Sequence, residues 1–459
     1  MVNISISNTT IITMDKDRRI IRNGAIAIDG DRILDVGSTD EILTNYGTGE
    51  EVINGSGTIA IPGLINAHTH IFQNLLRGLG DDMELMGWLK EMLYPVNSVL
   101  TEEDVYISAL LGCVEMIKTG TTFVINNHHF CTSEKAIDNL AMAIEETGIK
   151  GLVARGIKIK TARAEKRKVP NHVFPYTPEE EIKLTEKLIR KWNGKAEGRF
   201  QICPAPTSIN LCSPEMFREL KKLSDKYNVP VHTHIAESPS EVQFSLKDYG
   251  KREVEFLYEL GVLGPRFHVV HGVWLNDKEI ELLAKTKTHV IHCPVSNAFL
   301  ASGVAPVPKM LKAGVSVALG TDGPASNNNQ DMFGVIKTAA LLHKVAGRSP
   351  TAIRSDQVME MATIGGAKAL GLEKEIGSIE PGKKADIVLV DVKKPHIAPV
   401  HRPVSAIVYC AMGSDADTVI IDGKIVMKKR KILTINEEEA IVNADKVGKS
   451  LVKRAKLSA

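Results

Sequence analysis

The sequence predicts an α/β chain, a (β/α)8 TIM barrel with a small β-sandwich built from both chain ends. Three observations predict it. Short β-branched apolar runs alternate with amphipathic helical patterns through the middle of the chain. Both ends are instead rich in short strands and turns. Metal-ligating and acid–base residue types collect at the C-terminal ends of the middle strands, where a barrel carries its chemistry.

From the N-terminus, residues 4–13, 25–28 and 32–36 read as strands, with Asp29-Gly30-Asp31 as a hairpin turn. Apolar runs follow at 122–125, 151–154, 229–234, 268–270, 289–291 and 315–319. Helical patterns lie among them at 102–119, 133–147, 178–192, 214–227, 251–260, 277–285 and 306–313. Repeated β-then-α units imply a parallel sheet, and their number suits eight strands closed into a barrel. An open doubly wound sheet is the competitor, but no GxGxxG follows the first strand. Residues 386–390, 406–409 and 418–421 read as strands, with a hairpin at 421–425. The expected organisation is a composite β-sandwich from 1–58 and 372–435, a barrel over 59–371, and a polar helical tail over 436–459.

Composition narrows the function. The 459 residues carry 57 basic and 55 acidic side chains, net +2, which gives no support for nucleic acid or an anionic membrane as partner. Six scattered cysteines without a CxxC pair argue against a disulfide framework or a cysteine zinc cluster, so a reducing, cytoplasmic setting is expected. The first residues lack the apolar core of a signal peptide, and no run approaches the roughly 20 apolar residues of a membrane span. A small molecule is the expected partner.

The strand ends hold the chemistry. The first barrel strand ends in His68-Thr69-His70, and residues i and i+2 of a strand face the same way, so both imidazoles address one point. Later strands end in His234 with Glu237 three residues on, in His271, and in Asp322 of GTDG. Histidine with carboxylate suits one divalent cation, zinc or iron. A cation held by His68, His70, His234 and Asp322 keeps a position for water and brings its pKa towards about 7. Glu237 is placed to take the proton from the attacking water and hand it to the leaving group. Asp322 has a second part as proton acceptor, and His271 either polarises the substrate or joins the metal. His232 shares a face with His234 but sits deeper, which assigns it to core packing; His128-His129 and His292 stay open between pocket and scaffold.

The stretches PGLINAHTH (62–70), LLRG (75–78), HTHIAE (232–237), VVHG (269–272), CPVSNAFLASGVAPVPKML (293–311), ALGTDGPASNNNQDMF (318–333) and GSIEPGKKADIVLVD (377–391) resemble the amidohydrolase superfamily, in its cytosine-deaminase-like branch. The resemblance spans essentially the whole chain. It implies the barrel with its sandwich, hydrolytic displacement at a ring carbon with release of ammonia, one zinc or iron, and a homo-oligomer. Its roles fall on His68, His70, His234, Glu237, His271 and Asp322.

Residues 300–333 and Arg155 of LVARG look like S-adenosylhomocysteine/methylthioadenosine deaminases. CPAP at 203–206, Tyr94-Pro95 and the stretch EMATIGGAKALGLEKEIG before the last motif look like triazine hydrolases. Asn97 stands where the first subgroup carries a ribose-binding Glu, Thr207 where it carries a substrate His, and Gly323 where the second carries Asn or Asp. The resemblance thus implies deamination of an amino-substituted nitrogen heterocycle: an adenosine-type nucleoside, a purine or a triazine. Triazine dechlorination is the alternative, and an inactive homologue the non-enzyme one. Trp88, Asn97, Arg155, Thr207 and Ser326 are the expected substrate contacts.

Overall fold

The computed structural model describes residues 2–457. Five strands open the chain: β1 (Ile4–Ile12), β2 (Ile20–Asp29), β3 (Arg32–Ser38), β4 (Glu51–Asn54) and β5 (Thr58–Pro62). Eight strands follow with helices between them: β6 (Leu64–Thr69), β7 (Thr121–His128), β8 (Lys150–Ile157), β9 (Phe200–Pro206), β10 (Val231–Ile235), β11 (Phe267–His271), β12 (His289–His292) and β13 (Val317–Leu319). Four more close the set: β14 (Ile387–Asp391), β15 (Ala416–Ile421), β16 (Lys424–Lys428) and β17 (Lys431–Ile432).

The middle eight form the barrel. Strands β6 to β9 pair in parallel, as do β10 to β13, and β9 lies beside β10 and β13 beside β6, which completes the ring. Strands β7 and β8 are buried at every position, as expected of a parallel sheet wrapped by helices, so their apolar runs Phe123-Val124-Ile125 and Leu152-Val153-Ala154 show no alternation. The helices start on sequence-encoded caps. Thr101 and Asp104 form a reciprocal capping box on helix Glu102–Lys118, and Thr177 with Glu180 does the same for helix Pro178–Trp192.

Both chain ends share one nine-stranded sheet ordered β17-β16-β15-β14-β5-β1-β2-β3, with β4 paired to β1. The seam between the ends is antiparallel β5–β14, from Thr58 opposite Asp391 to Pro62 opposite Ile387. Ile4, Ile6, Ile26, Ile28, Leu389 and Ile420 fill its apolar cluster. Lys150, at the first residue of β8, pairs with Asp386 and with Asp422 (2.9 Å), tying the foot of the barrel to this sheet.

One expected strand is a helix. Residues 406–409 belong to helix Pro403–Tyr409, whose proline sits in the first turn and whose Ala406, Ile407 and Val408 are buried. An apolar run of four cannot separate a buried strand from a buried helical turn by periodicity. The final helix, Glu437–Arg454, packs on Glu102–Lys118, and Arg454 donates to Asp104 at 2.7 Å. Among the described residues, no helix is long and apolar enough to cross a membrane.

Candidate active site and metal centre

Three strands end at the same mouth of the barrel by the same device. Ala236 just beyond β10, His271 at the end of β11 and Asp322 beyond β13 have φ of 53°, 70° and 61°. Left-handed backbone is costly for residues with a Cβ, and such strain persists where the surroundings impose it, typically at functional sites. Here it turns the chain sharply beside Glu237 and at His271 and Asp322. Gly320 leaves room where His68 passes, since a Cβ there would lie 2.8 Å from the His68 carbonyl oxygen.

Hydrogen bonds fix how the imidazoles present themselves. His70 Nδ1 lies 2.7 Å from the Asn127 carbonyl and His234 Nδ1 2.9 Å from the Thr207 carbonyl. A carbonyl only accepts, so both Nδ1 atoms carry the proton and both Nε2 atoms are bare. Those two Nε2 atoms face each other at 3.4 Å. His68 Nε2 is buried without a hydrogen bond, 3.3 Å from Asp322 Oδ1, while His70 Nε2 is 3.2 Å from the same oxygen. The bare Nε2 atoms of His70 and His234, the unpartnered Nε2 of His68 and a carboxylate oxygen thus converge, an arrangement that fits a cation. His271 donates from Nδ1 to Asn297 Oδ1 at 3.0 Å, and its free nitrogen lies within 4.8 Å of those of His68 and His234.

Glu237 sits beside this cluster, buried, with Oε2 3.5 Å from His271 Nε2. Burial, then the charges of Glu241 and Asp322, push its carboxyl well above the usual range. Glu241 accepts from the Glu237 and Ser238 amides at 3.0 and 3.1 Å, and Glu253 accepts from the Ala236 amide at 2.6 Å, so two carboxylates hold this strained loop. Glu237, His271 and Asp322 face a cavity of about 110 Å³ with apolar walls that include Leu89, Phe130 and Leu300. A few polar groups at the end of an apolar cleft are the usual form of a small-molecule site.

The five expected substrate contacts part company. Trp88 and Thr207 line the cavity, Trp88 anchored by its indole N–H on the Ala325 carbonyl at 3.1 Å. Asn97 lines an adjoining chamber. Arg155 does not line the cavity: its guanidinium is fully buried, pairing with Glu181 at 2.5 Å and donating to Thr185 at 3.0 Å. Ser326 is also set back, 3.4 Å from Asp322 Oδ2 and hydrogen-bonded to Ser296. Ser296, within the HCPVSN stretch, donates to Asp322 Oδ2 at 2.6 Å and was not anticipated.

Two further residues, Lys158 and Glu241, came without a sequence signal, and His129 is open between pocket and scaffold on sequence alone. His129 lines the cavity, edge-on to His70 with ring centres 4.4 Å apart. Lys158 is buried with its ammonium 3.7 Å from the centre of the Phe130 ring, and lines both cavity and side chamber. Glu241 completes the set; its spacing after Ser238 marks a helix cap and hides its second place in the cavity wall. His292, by contrast, pairs with His343 at 3.1 Å within the scaffold.

Known proteins share this architecture. Residues 59–426 match the model of the Amidohydrolase family, and 24–47 match an imidazolonepropionase-like composite domain of bacteria. The chain is 41% identical to a 5-methylthioadenosine/S-adenosylhomocysteine deaminase of Thermoanaerobacter pseudethanolicus, covering 99% of this chain and 100% of the relative. It is 40% identical to a 5'-deoxyadenosine deaminase of Methanosarcina acetivorans over the same shares. Among solved structures, an adenosine deaminase of Xanthomonas campestris with bound zinc superposes with a TM-score of 0.90 at 31% identity, over 99% of both chains. A zinc complex of atrazine chlorohydrolase from Arthrobacter aurescens TC1 gives 0.90 at 25% identity, over 97% of this chain and 100% of that one.

Proposed function

The chain belongs to the amidohydrolase family, and from that premise we propose that it is a zinc-dependent aminohydrolase acting on an adenine-type heterocycle. The observation that carries the reading is the placing of Glu237, His271 and Asp322 at one end of an apolar-walled cavity, against the converging lone pairs of His68, His70 and His234. A divalent cation bound there supplies the Lewis acidity that makes water nucleophilic near neutral pH.

The protein's own groups do the rest. Leu89, Phe130 and Trp88 receive the flat ring and exclude bulk water. Glu237 takes a proton from the attacking water and carries it to the nitrogen side of the substrate. An amine leaves a carbon readily only when protonated, so the proton that Glu237 takes from water is the one that deamination needs delivered. Asp322, gripped by Ser296, takes the second water proton. His271, oriented by Asn297, polarises the acceptor atom of the ring. One water is consumed: the ring carbon keeps its oxygen, one proton stays on the ring nitrogen, and the other leaves with the amino group as ammonia.

Relatives named as deaminases of 5'-substituted adenosines favour a nucleoside over a free base. The second reading, halide displacement, has its support in the fold shared with atrazine chlorohydrolase. Chloride needs no proton to depart, so that reaction makes less use of Glu237. Zinc-loaded protein offered 5'-deoxyadenosine, 5'-methylthioadenosine, adenine and aminotriazines releases ammonia from the nucleosides first. Silence with all of them, or chloride release from a chlorotriazine instead, overturns the proposal.

A further inference from the structure

We infer that His232 and His268, two buried histidines behind the metal centre, are positioning residues: with the Ala369 carbonyl they form a one-way hydrogen-bond relay that fixes the tautomer of His68. The inference rests on the reading of His68 as a metal ligand.

His232 and His268 stand opposite each other in the parallel register of β10 and β11. His68 Nδ1 lies 2.8 Å from His232 Nε2, His232 Nδ1 lies 3.1 Å from His268 Nδ1, and His268 Nε2 lies 2.7 Å from the Ala369 carbonyl oxygen. All three rings are fully buried. Ala369 is in the last turn of helix Ile364–Leu370, where carbonyls lack a partner within the helix.

The far end sets the direction of the whole chain. The carbonyl cannot donate, so the His268 proton is on Nε2 and its Nδ1 accepts. His232 must then donate from Nδ1 and accept at Nε2. His68 must donate from Nδ1, which leaves its Nε2 bare and facing the cation. Three contacts in series take three protons, one from each ring, so there is one consistent assignment. The rings suit in-line N–H···N bonds: His68 and His232 lie end to end with centres 5.0 Å apart and planes 21° apart, and His232 meets His268 with centres 5.3 Å apart and planes at 86°.

The three histidine ligands therefore differ. His70 and His234 are held directly by backbone carbonyls, which no side-chain substitution removes. His68 alone among them is held through two side chains. Without the relay, its proton is free to sit on Nε2 and point into the metal position.

Zinc affinity, measured on the full-length protein by competition with a chelator, tests the relay. His268→Leu removes both polar contacts and weakens zinc binding by about 10- to 100-fold. His268→Gln recovers most of it, since an amide N–H serves the Ala369 carbonyl while the amide oxygen accepts from His232. Equal loss in both variants, or wild-type affinity in His268→Leu, overturns the relay. Should His268→Leu not fold, nitrogen-15 spectra of the histidine-labelled wild-type protein decide: His232 protonated on Nδ1 and His268 on Nε2 support it, and either opposite tautomer refutes it. Retention of zinc by His68→Ala sinks the ligand reading itself, a different failure with a different signature.

Discussion

The sheet made from the chain ends and the mouth of the barrel bury side chains for opposite purposes. In the sheet, aliphatic residues such as Ile6, Ile26, Ile28 and Ile387 fill a cluster free of polar demands. Among the described residues, Asp386 is its one buried side chain with a polar atom lacking a hydrogen bond, and that atom faces Lys150. Around the mouth, His68, Asn126, Asn127, His128, Asn297 and others leave such atoms; left-handed backbone occurs in both regions, at Ala236, His271 and Asp322 here and at Asn8, Asn23 and Asp422 in the sheet. Unsatisfied polar groups lower stability, and proteins tolerate them where a site must be preorganised. The sheet is built to stay folded. The mouth is built to hold a cation and a substrate, and it leans on the rest of the fold.

Substitutions in the two regions should therefore separate activity from stability. The largest effect is expected at Glu237→Gln, which keeps shape and loses the proton carrier: turnover falls by about 10²- to 10⁴-fold, while zinc content and Tm stay at or above wild type. Loss of zinc together with activity would make Glu237 a ligand. Next comes metal removal. Zinc-free protein should lose turnover and melt earlier, since a cation that binds only the folded state adds about 2.7 kcal/mol at a hundredfold excess over its Kd. An unchanged Tm would mean the lone pairs at the mouth tolerate one another unaided.

Lys150→Ala tests the junction. It strands Asp386 beneath the sheet and should cost about 3 to 5 kcal/mol of stability while kcat per folded molecule holds.

Acid should attack the barrel before the sheet. Burial holds His128 and His268 down to about 3 and His343 to about 4, from 6.5. Between pH 6.5 and those values the unfolded chain takes up protons that the folded chain refuses, so stability falls as pH falls through that window. Hydrogen exchange at pH 5 should show β7 and β11 opening ahead of β1 and β2; the reverse order contradicts the contrast. Smallest is Ile28→Val in the sheet, at about 1 kcal/mol with no change in turnover.

The same contrast governs what could be read from sequence. Alternating strands, capped helices and the His68-Thr69-His70 and His234–Glu237 spacings are local patterns, so both the architecture and the converging residues could be proposed without coordinates. Residues 406–409 misled because a buried run of four has no period to read. Arg155 misled for another reason: its partner Glu181 is 26 positions away on a helix, and a buried ion pair leaves no mark in a window of sequence. His232 reads as packing because it sits deeper than His234, and its hydrogen-bond partners, His68 and His268, come from two other strands. Burial alone was predictable there; the hydrogen bonds depend on strand register.

One titration bears on the central claim most directly. Zinc is added stepwise to metal-free protein while ammonia release from 5'-deoxyadenosine is followed. The account predicts activity rising linearly and reaching its plateau at about one zinc per chain, the number of cations that one converging ligand set holds. Ammonia release at full rate without zinc, or none at any zinc level from this or any related aminated heterocycle, would contradict it.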